Sequence, residues 1–172
     1  MALTTRLAEH VDLPALKAIW DYADEYHQQA LPEVFRPREG GHRTQAFLKA
    51  CIEQADSAVL LTELDGAPVG LCYVLERASP DVSLFVPRRY AVVDTLAVLP
   101  LAQRRGIGRA LLKRAEGWAR DRGLDEIELG VYEFNTGARA LYEGAGYDTL
   151  RRAMHRRLTA AEGDRDAPGG DV

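Results

Sequence analysis

The sequence predicts a mixed α/β fold, in which helices cover both faces of a central β-sheet. Two observations support this prediction. Two apolar segments meet at Asp65–Gly66, which is a strong signal for an antiparallel hairpin. Later, a strand, a helix and another strand follow one another between residues 89 and 132, the order of a crossover between parallel strands. A sheet with both kinds of pairing is mixed, and its two apolar faces each need a helical layer.

Composition indicates one globular domain. The chain has 172 residues, of which 47% are hydrophobic and 28% charged, enough to bury a core and too apolar for a disordered chain. We expect a single domain over residues 1–159. The remaining residues, 160–172, are small and polar and are predicted to form a disordered tail.

Charge and hydropathy argue against several partners. The net charge of −4 disfavours non-specific binding to nucleic acid or to a membrane surface. No apolar run approaches the ~20 residues that cross a bilayer, and the first ten residues lack a secretory pattern. We therefore predict a cytoplasmic protein. Cys51 and Cys72 have no Cys or His at metal spacing, so both are expected to be buried thiols, with no metal site.

The first third of the chain is predicted to hold one strand and two helices. Residues 3–8 alternate as a strand, and Asp12 is a candidate cap for a helix over residues 13–26. Two prolines and a Gly–Gly pair make residues 27–42 a loop or broken helix. A second helix is predicted over residues 43–54.

The remainder is predicted to alternate strands and helices. Asn135 is a candidate cap for the last helix, and Gly123 a candidate stop for the helix before it. The predicted strands are residues 58–63, 69–75, 89–98 and 127–132, with one or two more from Tyr147 to Leu158, and the predicted helices are residues 108–122 and 136–144.

The stretch from Val92 to Arg122 has the order strand, glycine loop, helix. Pro100 stops the strand because proline cannot donate to a sheet ladder. The first N–H groups of a helix lack partners and carry roughly half a positive charge, which suits an anion. Gly106 and Gly108 have no Cβ, so a diphosphate can approach this backbone closely.

Two motifs resemble the GNAT superfamily of acetyl-CoA-dependent N-acetyltransferases. Q-R-R-G-I-G-R-A-L-L, after L-A-V-L-P, resembles the acetyl-CoA loop of that family. Residues 135–147, N-T-G-A-R-A-L-Y-E-G-A-G-Y, resemble its Asn-x-x-Ala-x-x-x-Tyr helix. The resemblance extends more loosely over residues 3–158. It implies a GNAT-like fold and an enzyme that moves acetyl from acetyl-CoA to a primary amine of a small molecule or peptide, by direct attack in a ternary complex.

The resemblance also implies a donor site. The pantetheine would lie along the strand end and bond to Asn135, and the diphosphate would sit on backbone N–H groups of the loop, without a metal. The side chains of Arg104, Arg105, Arg109 and Lys113 either meet the phosphates or form a solvated basic face. The implied cofactor-binding residues are Leu96, Ala97, Val98, Arg104, Arg105, Gly106, Ile107, Gly108, Arg109 and Asn135.

Tyr142 is the catalytic acid that the resemblance implies. It follows Asn135 by seven residues, about two helical turns, so both project on similar faces. The pKa of an ordinary tyrosine is near ~10 and that of a thiol is near ~8.5, so proton transfer from the tyrosine to the thiolate is uphill by roughly 2 kcal/mol. A hydrogen bond to the developing charge still lowers the barrier. The alternative is that Tyr142 only packs.

The general base is less clear from sequence. Asp94 lies two residues before Leu96 on the same strand and is either the base or part of a structural ion pair. Glu128, Glu33 and His27 are lesser candidates, and a water relay is another. In relatives that acetylate ribosomal-protein N-termini, a glutamate lies five residues before the motif asparagine, a position held here by Gly130.

Residues 27–42 are predicted to lie on the acceptor side, where they either line a pocket for the amine or form a surface loop. The polar and aromatic candidates are His27, Glu33, Phe35, Arg36, Arg38 and His42.

An apolar edge at the predicted C-terminal strands is suited to pairing two chains as a homodimer. The alternative function is a non-catalytic acyl-CoA-binding module or sensor. A nucleotide-binding domain is disfavoured, because the Walker and Rossmann glycine patterns are missing.

Overall fold

The structure is a computed structural model that describes residues 2–37 and 39–158. Its strands are β1 (Leu3–Leu7), β2 (Ser57–Leu64), β3 (Ala67–Ala78), β4 (Arg89–Val98) and β5 (Ile127–Leu129). Its α-helices are α1 (Leu13–Ala30), α2 (Gln45–Glu53), α3 (Ile107–Asp121) and α4 (Thr136–Gly144). The strands form one sheet in the order β1-β2-β3-β4-β5.

The sheet is mixed, as predicted. The first four strands pair antiparallel, and β4 pairs with β5 in parallel. The predicted turn between β2 and β3 is present, with positive φ at both Asp65 (50°) and Gly66 (81°). Positive φ at both central positions is the geometry of a type I′ hairpin, whose twist matches that of the strands. The parallel pair β4–α3–β5 forms the crossover that carries the glycine loop.

Helices cover both faces of the sheet because neighbouring strand residues point to opposite sides. On β2, Leu60 packs against the layer of α3 and α4, whereas Val59 and Leu61 pack against the layer of α1 and α2. Trp20 of α1 and Leu111 of α3 are both fully buried, one in each layer. The two cysteines are also buried, as expected, and burial raises the pKa of Cys72 to about 12.

Helix α1 continues about one turn beyond the predicted end, to Ala30. The sequence E-Y-H-Q-Q-A contains no helix breaker, and Pro32 then disfavours the helical region for Leu31, whose φ is −136°. Asp12 precedes this helix without capping it through its side chain. Its carboxylate instead accepts two hydrogen bonds from Arg6, at 2.7 and 2.8 Å, which lowers the pKa of Asp12.

The predicted C-terminal strands are wrong for the part of the chain that the structure describes. Strand β5 ends at Leu129 rather than 132, and residues 145–158 form no strand. In the segment T-L-R-R-A-M-H-R-R-L the apolar residues Leu150, Met154 and Leu158 would share one strand face with Arg152 and Arg156, so a strand here would have no continuous apolar face. All three are exposed. The predicted tail, residues 160–172, lies outside the described residues.

No helix within the described residues is long and apolar enough to cross a bilayer.

Candidate active site

The site begins where β4 and β5 separate. The two strands pair only from Ala91–Ile127 to Val93–Leu129, although β4 continues to Val98. The register of β4 against β3 shifts between Val93 and Thr95, so Asp94 is the extra residue of a β-bulge. Beyond this bulge the edge of β4 that faces β5 has no strand partner among the described residues. A cleft opens there between the two strands.

Two cavities meet in this cleft. The first, which we call the donor cavity, has a volume of about 610 Å³ and runs from the end of β4 to the start of α3. The second, the acceptor cavity, has a volume of about 570 Å³ and lies between α1 and the segment after β5. The residues that line both are Ala23, His27, Leu96, Asn135, Ala138 and Tyr142.

The donor cavity brings together nine of the ten residues predicted to bind the cofactor. They are Leu96, Ala97, Val98, Arg104, Gly106, Ile107, Gly108, Arg109 and Asn135. Arg105, the tenth, is exposed beside the cavity and does not line it. The backbone dihedrals explain the shape of the loop, since φ is positive at Arg104 (61°) and at Gly106 (81°). Each turns the chain sharply before α3 begins.

The start of α3 presents unpaired amides to this cavity. Within the described residues, the main-chain N–H groups of Arg104, Gly106, Ile107, Gly108 and Arg109 donate no hydrogen bond to protein. The first helical bond of α3 starts at the next residue, whose N–H donates to the Gly106 carbonyl at 3.0 Å. Five donors at the positive end of a 15-residue helix are chemically suited to an anion.

The two glycines of the loop are needed for different reasons. A Cβ added at Gly106 would meet open space, but the φ of 81° at this position is strained for any other residue. At Gly108, a Cβ would lie 2.8 Å from Cδ2 of Leu141, so a larger residue here would require the Leu141 side chain of α4 to shift. The contact with α4 matters for the site because the same helix carries Tyr142.

The basic side chains of the loop differ in what they contact. Arg109 donates from Nη2 to the carbonyl of Gly144 at 2.8 Å, so its guanidinium is bound at the C-terminal end of α4. A cation there also complements the helix dipole. Arg104 and Lys113 are exposed, and Lys113 does not line the donor cavity. The backbone of this loop is therefore better placed than its side chains to hold an anion.

Tyr142 lies at the junction of the two cavities. It is only 8% exposed, and burial raises the pKa of its phenol to about 12. Its hydroxyl makes no hydrogen bond to the described residues and is not among their buried, unpartnered polar atoms, so it opens onto the cavity. A neutral phenol in this position can donate a hydrogen bond to an atom bound at the junction.

Asn135 has a structural role that the sequence indicated. Its Oδ1 accepts a hydrogen bond from the N–H of Ala138 at 3.1 Å and caps α4. That bond fixes the side chain at the junction of the cavities, with the amide nitrogen as the remaining donor. The cap also sets the start of α4, and with it the position of Tyr142 two turns later.

Asp94 lines the acceptor cavity and not the donor cavity. Its carboxylate accepts a hydrogen bond from Oγ1 of Thr95 at 3.0 Å, and that oxygen accepts one from Nε1 of Trp20 at 3.1 Å. The side chain is exposed and forms no ion pair with the described residues. Asp94 is therefore held by Thr95 rather than by a cation of the described chain, and its role as the base stays a prediction.

Of the three lesser base candidates, His27 is the one that lines the cavities. Glu128 binds Arg88 at 2.6 Å and lines neither cavity, and Glu33 lies 3.7 Å from Arg157. His27 lines both cavities, and its Nδ1 is 2.8 Å from the carbonyl of Ala23. Because a carbonyl only accepts, Nδ1 carries the hydrogen, which leaves Nε2 of the neutral ring as a proton acceptor.

The predicted acceptor segment contributes to the acceptor cavity through His27, Phe35, Arg36 and His42. Arg38 lies outside the described residues. Sequence reasoning missed Tyr132, which also lines this cavity, and Tyr22 and Tyr26, which line the donor cavity. The signals were present in the sequence. The two α1 tyrosines are four residues apart on one helical face, and Tyr132 belongs to the run Y-E-F that precedes Asn135.

Comparison with known proteins shows the family to which the chain belongs. Residues 16–147 match the model of the acetyltransferase (GNAT) family. The chain belongs to the GNAT family. An uncharacterised N-acetyltransferase, YhfO, of Bacillus subtilis is 29% identical over 89% of this chain and 95% of its own length. Aminoglycoside N(6')-acetyltransferase type 1 of Klebsiella aerogenes is 28% identical over 59% of this chain and 65% of its own.

A solved structure supports the fold. A mutant of protein BH1408 from Bacillus halodurans superposes with a TM-score of 0.85, at 21% identity, over 91% of this chain and 99% of that one. Because the family model also matches this chain, the mixed sheet with two helical layers is the GNAT fold.

Proposed function

We propose that this GNAT acetyltransferase transfers an acetyl group from acetyl-CoA to a primary amine by direct attack, with both substrates bound together. One observation carries the proposal. A cavity that has, at one end, five main-chain N–H groups without a partner among the described residues meets a second cavity at the buried Tyr142. The first cavity suits a diphosphate-bearing donor, and the second is open to an acceptor. The reacting groups would meet at Tyr142.

The residues present fit coenzyme A. Diphosphate oxygens accept hydrogen bonds, and the N–H groups of residues 104 and 106–109 are donors without a protein partner in the described chain. The edge of β4 over Leu96–Val98 offers main-chain groups to the amides of a pantetheine arm. Relatives support the donor as well, since one structural neighbour was solved in complex with CoA.

When bound, acetyl-CoA would supply a thioester whose carbonyl carbon forms a bond to nitrogen as its bond to sulfur breaks. Asp94, on the bulge of β4, would take the proton that the amine loses, with Nε2 of His27 as a second acceptor. Tyr142 would donate a hydrogen bond to the sulfur as negative charge develops there. Its raised pKa keeps the phenol protonated throughout the neutral range.

A panel of amines with free CoA as the readout tests the proposal. Thiol release that depends on both acetyl-CoA and an amine, with equimolar N-acetyl product, is expected. The acceptors for which relatives are named, aminoglycosides and thialysine, belong in the panel. A chain that binds CoA but releases none with any amine would be a binding module instead, which would overturn the proposed transfer.

A further inference from the structure

An aromatic cluster contributes three of its rings, those of His27, Phe35 and Tyr132, to the lining of the acceptor cavity. His27 lies at the centre of the cluster, with its ring centroid 5.5–5.9 Å from four other rings. The four rings come from two regions that are far apart in sequence: the end of α1 with the loop after it, and the segment after β5. They are Tyr26, Phe35, Tyr132 and Phe134.

Part of the aromatic cluster is accessible to a ligand in the acceptor cavity. Phe35 and Tyr132 contact each other edge to face at 5.4 Å, and both line the acceptor cavity. Tyr132 remains 43% exposed, although its neighbours are aromatic. Val34, Leu96 and Val131 add aliphatic surface to the same cavity. A flat apolar group would bury area against these side chains, and an ammonium group would be attracted to the ring faces.

The charges of the cavity limit how many ammonium groups it can hold. Its lining contains two carboxylates, and Asp24 is already held by Arg43 through two hydrogen bonds, at 3.1 and 3.2 Å. Asp94 is the one lining carboxylate that binds no arginine within residues 2–37 and 39–158. Arg36 and Arg43 also line this cavity. If several ammonium groups bound here, those beyond the one beside Asp94 would lose hydration without a carboxylate to compensate their charge.

We infer that the acceptor cavity selects a monoamine with an aromatic body and discriminates against polyamines and aminoglycosides. The single ammonium group belongs beside Asp94, and the aromatic body belongs against Phe35 and Tyr132. The inference rests on the proposed function, because it takes this cavity to be the acceptor side. It goes further by naming the class of acceptor and the residues that select it.

Calorimetry on the full chain saturated with CoA tests selection without relying on turnover. The probes are 2-phenylethylamine, ethanolamine and spermidine. We expect 2-phenylethylamine to bind at least tenfold more tightly than either of the others, and Tyr132→Ala to reduce that preference at least tenfold. Phe35→Ala is a second variant with the same expectation. Phe85→Ala is the matched control, since Phe85 is exposed at 48% and lies outside both cavities.

The outcomes separate the two proposals. Equal binding of the three amines, or a preference for spermidine, would overturn the inference even if the chain acetylates amines. Preference for 2-phenylethylamine that Tyr132→Ala and Phe35→Ala leave unchanged would also overturn it, because the cluster would not be the cause. Selective binding that the two variants abolish supports the inference, even if the CoA-release assay rejects acetyl transfer.

Discussion

Replacing Tyr142 by phenylalanine isolates the hydroxyl at the junction of the cavities. The hydroxyl makes no hydrogen bond to the described residues, so its removal should change the free energy of unfolding by less than about 0.5 kcal/mol. The ring, which is 8% exposed and part of the core, is kept. Any loss of activity then reports on the hydroxyl group alone.

The expected magnitude follows from the pKa of Tyr142. Burial raises that pKa to about 12, and a thiol is near ~8.5, so full proton transfer to the thiolate is uphill by about 5 kcal/mol. Tyr142 therefore acts mainly as a hydrogen-bond donor to the developing charge. Removing one such donor costs about 2.7–4 kcal/mol, or about 10²–10³-fold in rate.

Single-turnover acetyl transfer at saturating substrates is the appropriate assay, because it excludes product release. Tyr142→Phe should lower this rate by about 10²-fold or more, and the Kd for acetyl-CoA should change by less than about threefold. Tyr147→Phe is the matched control. It removes the same atom from a ring 6.1 Å away, whose hydroxyl donates to Glu116 outside both cavities. A Tyr142→Phe rate within threefold of the wild type would refute the reasoning.

Three further predictions concern pH and stability. Turnover should show no alkaline fall caused by Tyr142 below pH ~10, because its pKa is about 12, and a Tyr142-dependent midpoint near pH 8 in a kcat profile would contradict this. Asp12→Asn should lower the free energy of unfolding by about 1–3 kcal/mol at pH 7. The pKa of Asp12 is lowered in the folded chain, so the loss in free energy of unfolding should become smaller below pH ~4. Urea titrations at pH 7 and pH 3 measure this loss, and the exposed Asp56→Asn is the control. Gly106→Ala should destabilise the chain by about 1 kcal/mol and weaken CoA binding, because Gly106 has a positive φ. Gly117→Ala should instead stabilise α3 by up to about 1 kcal/mol in thermal unfolding, since its Cβ would meet only the end of a flexible arginine at 3.9 Å. Equal effects of the two glycine substitutions would contradict the role given to the loop.

Local signals in the sequence were sufficient for most of the fold. The turn at Asp65–Gly66, the stop at Pro100 and the cap at Asn135 each have a chemical cause that acts within a few residues, and each is found in the structure. The alternation of side chains along a strand also accounts for Leu60 and Leu61 of β2 packing against opposite helical layers.

The C-terminal strands were predicted wrongly because strand formation depends on a partner. Residues 145–158 carry Leu150 and Met154, but four arginines lie among them, and no strand of the described chain pairs with this segment. The early end of β5 has the same kind of cause. Gly130 follows it where β4 bulges at Asp94, and the two strands diverge there.

The site was predictable where it depends on one segment and not where it joins several. The loop at residues 103–109 carries its own signal, since glycines before a helix predict free amides. The aromatic cluster around His27 is formed by α1, the loop after it and the segment after β5. Nothing in the sequence relates those segments to one another, so only the tertiary structure shows that Phe35 and Tyr132 touch.

The most direct test of the central claim compares two ligands by calorimetry. Coenzyme A and pantetheine share the thiol arm, but only coenzyme A has the diphosphate that we propose is held by the main-chain N–H groups of residues 104 and 106–109, which have no partner in the described part of the chain. If the amides hold it, coenzyme A should bind at least about 100-fold more tightly than pantetheine, a difference of about 2.7 kcal/mol. Equal affinities, or no binding of coenzyme A at all, would contradict the account.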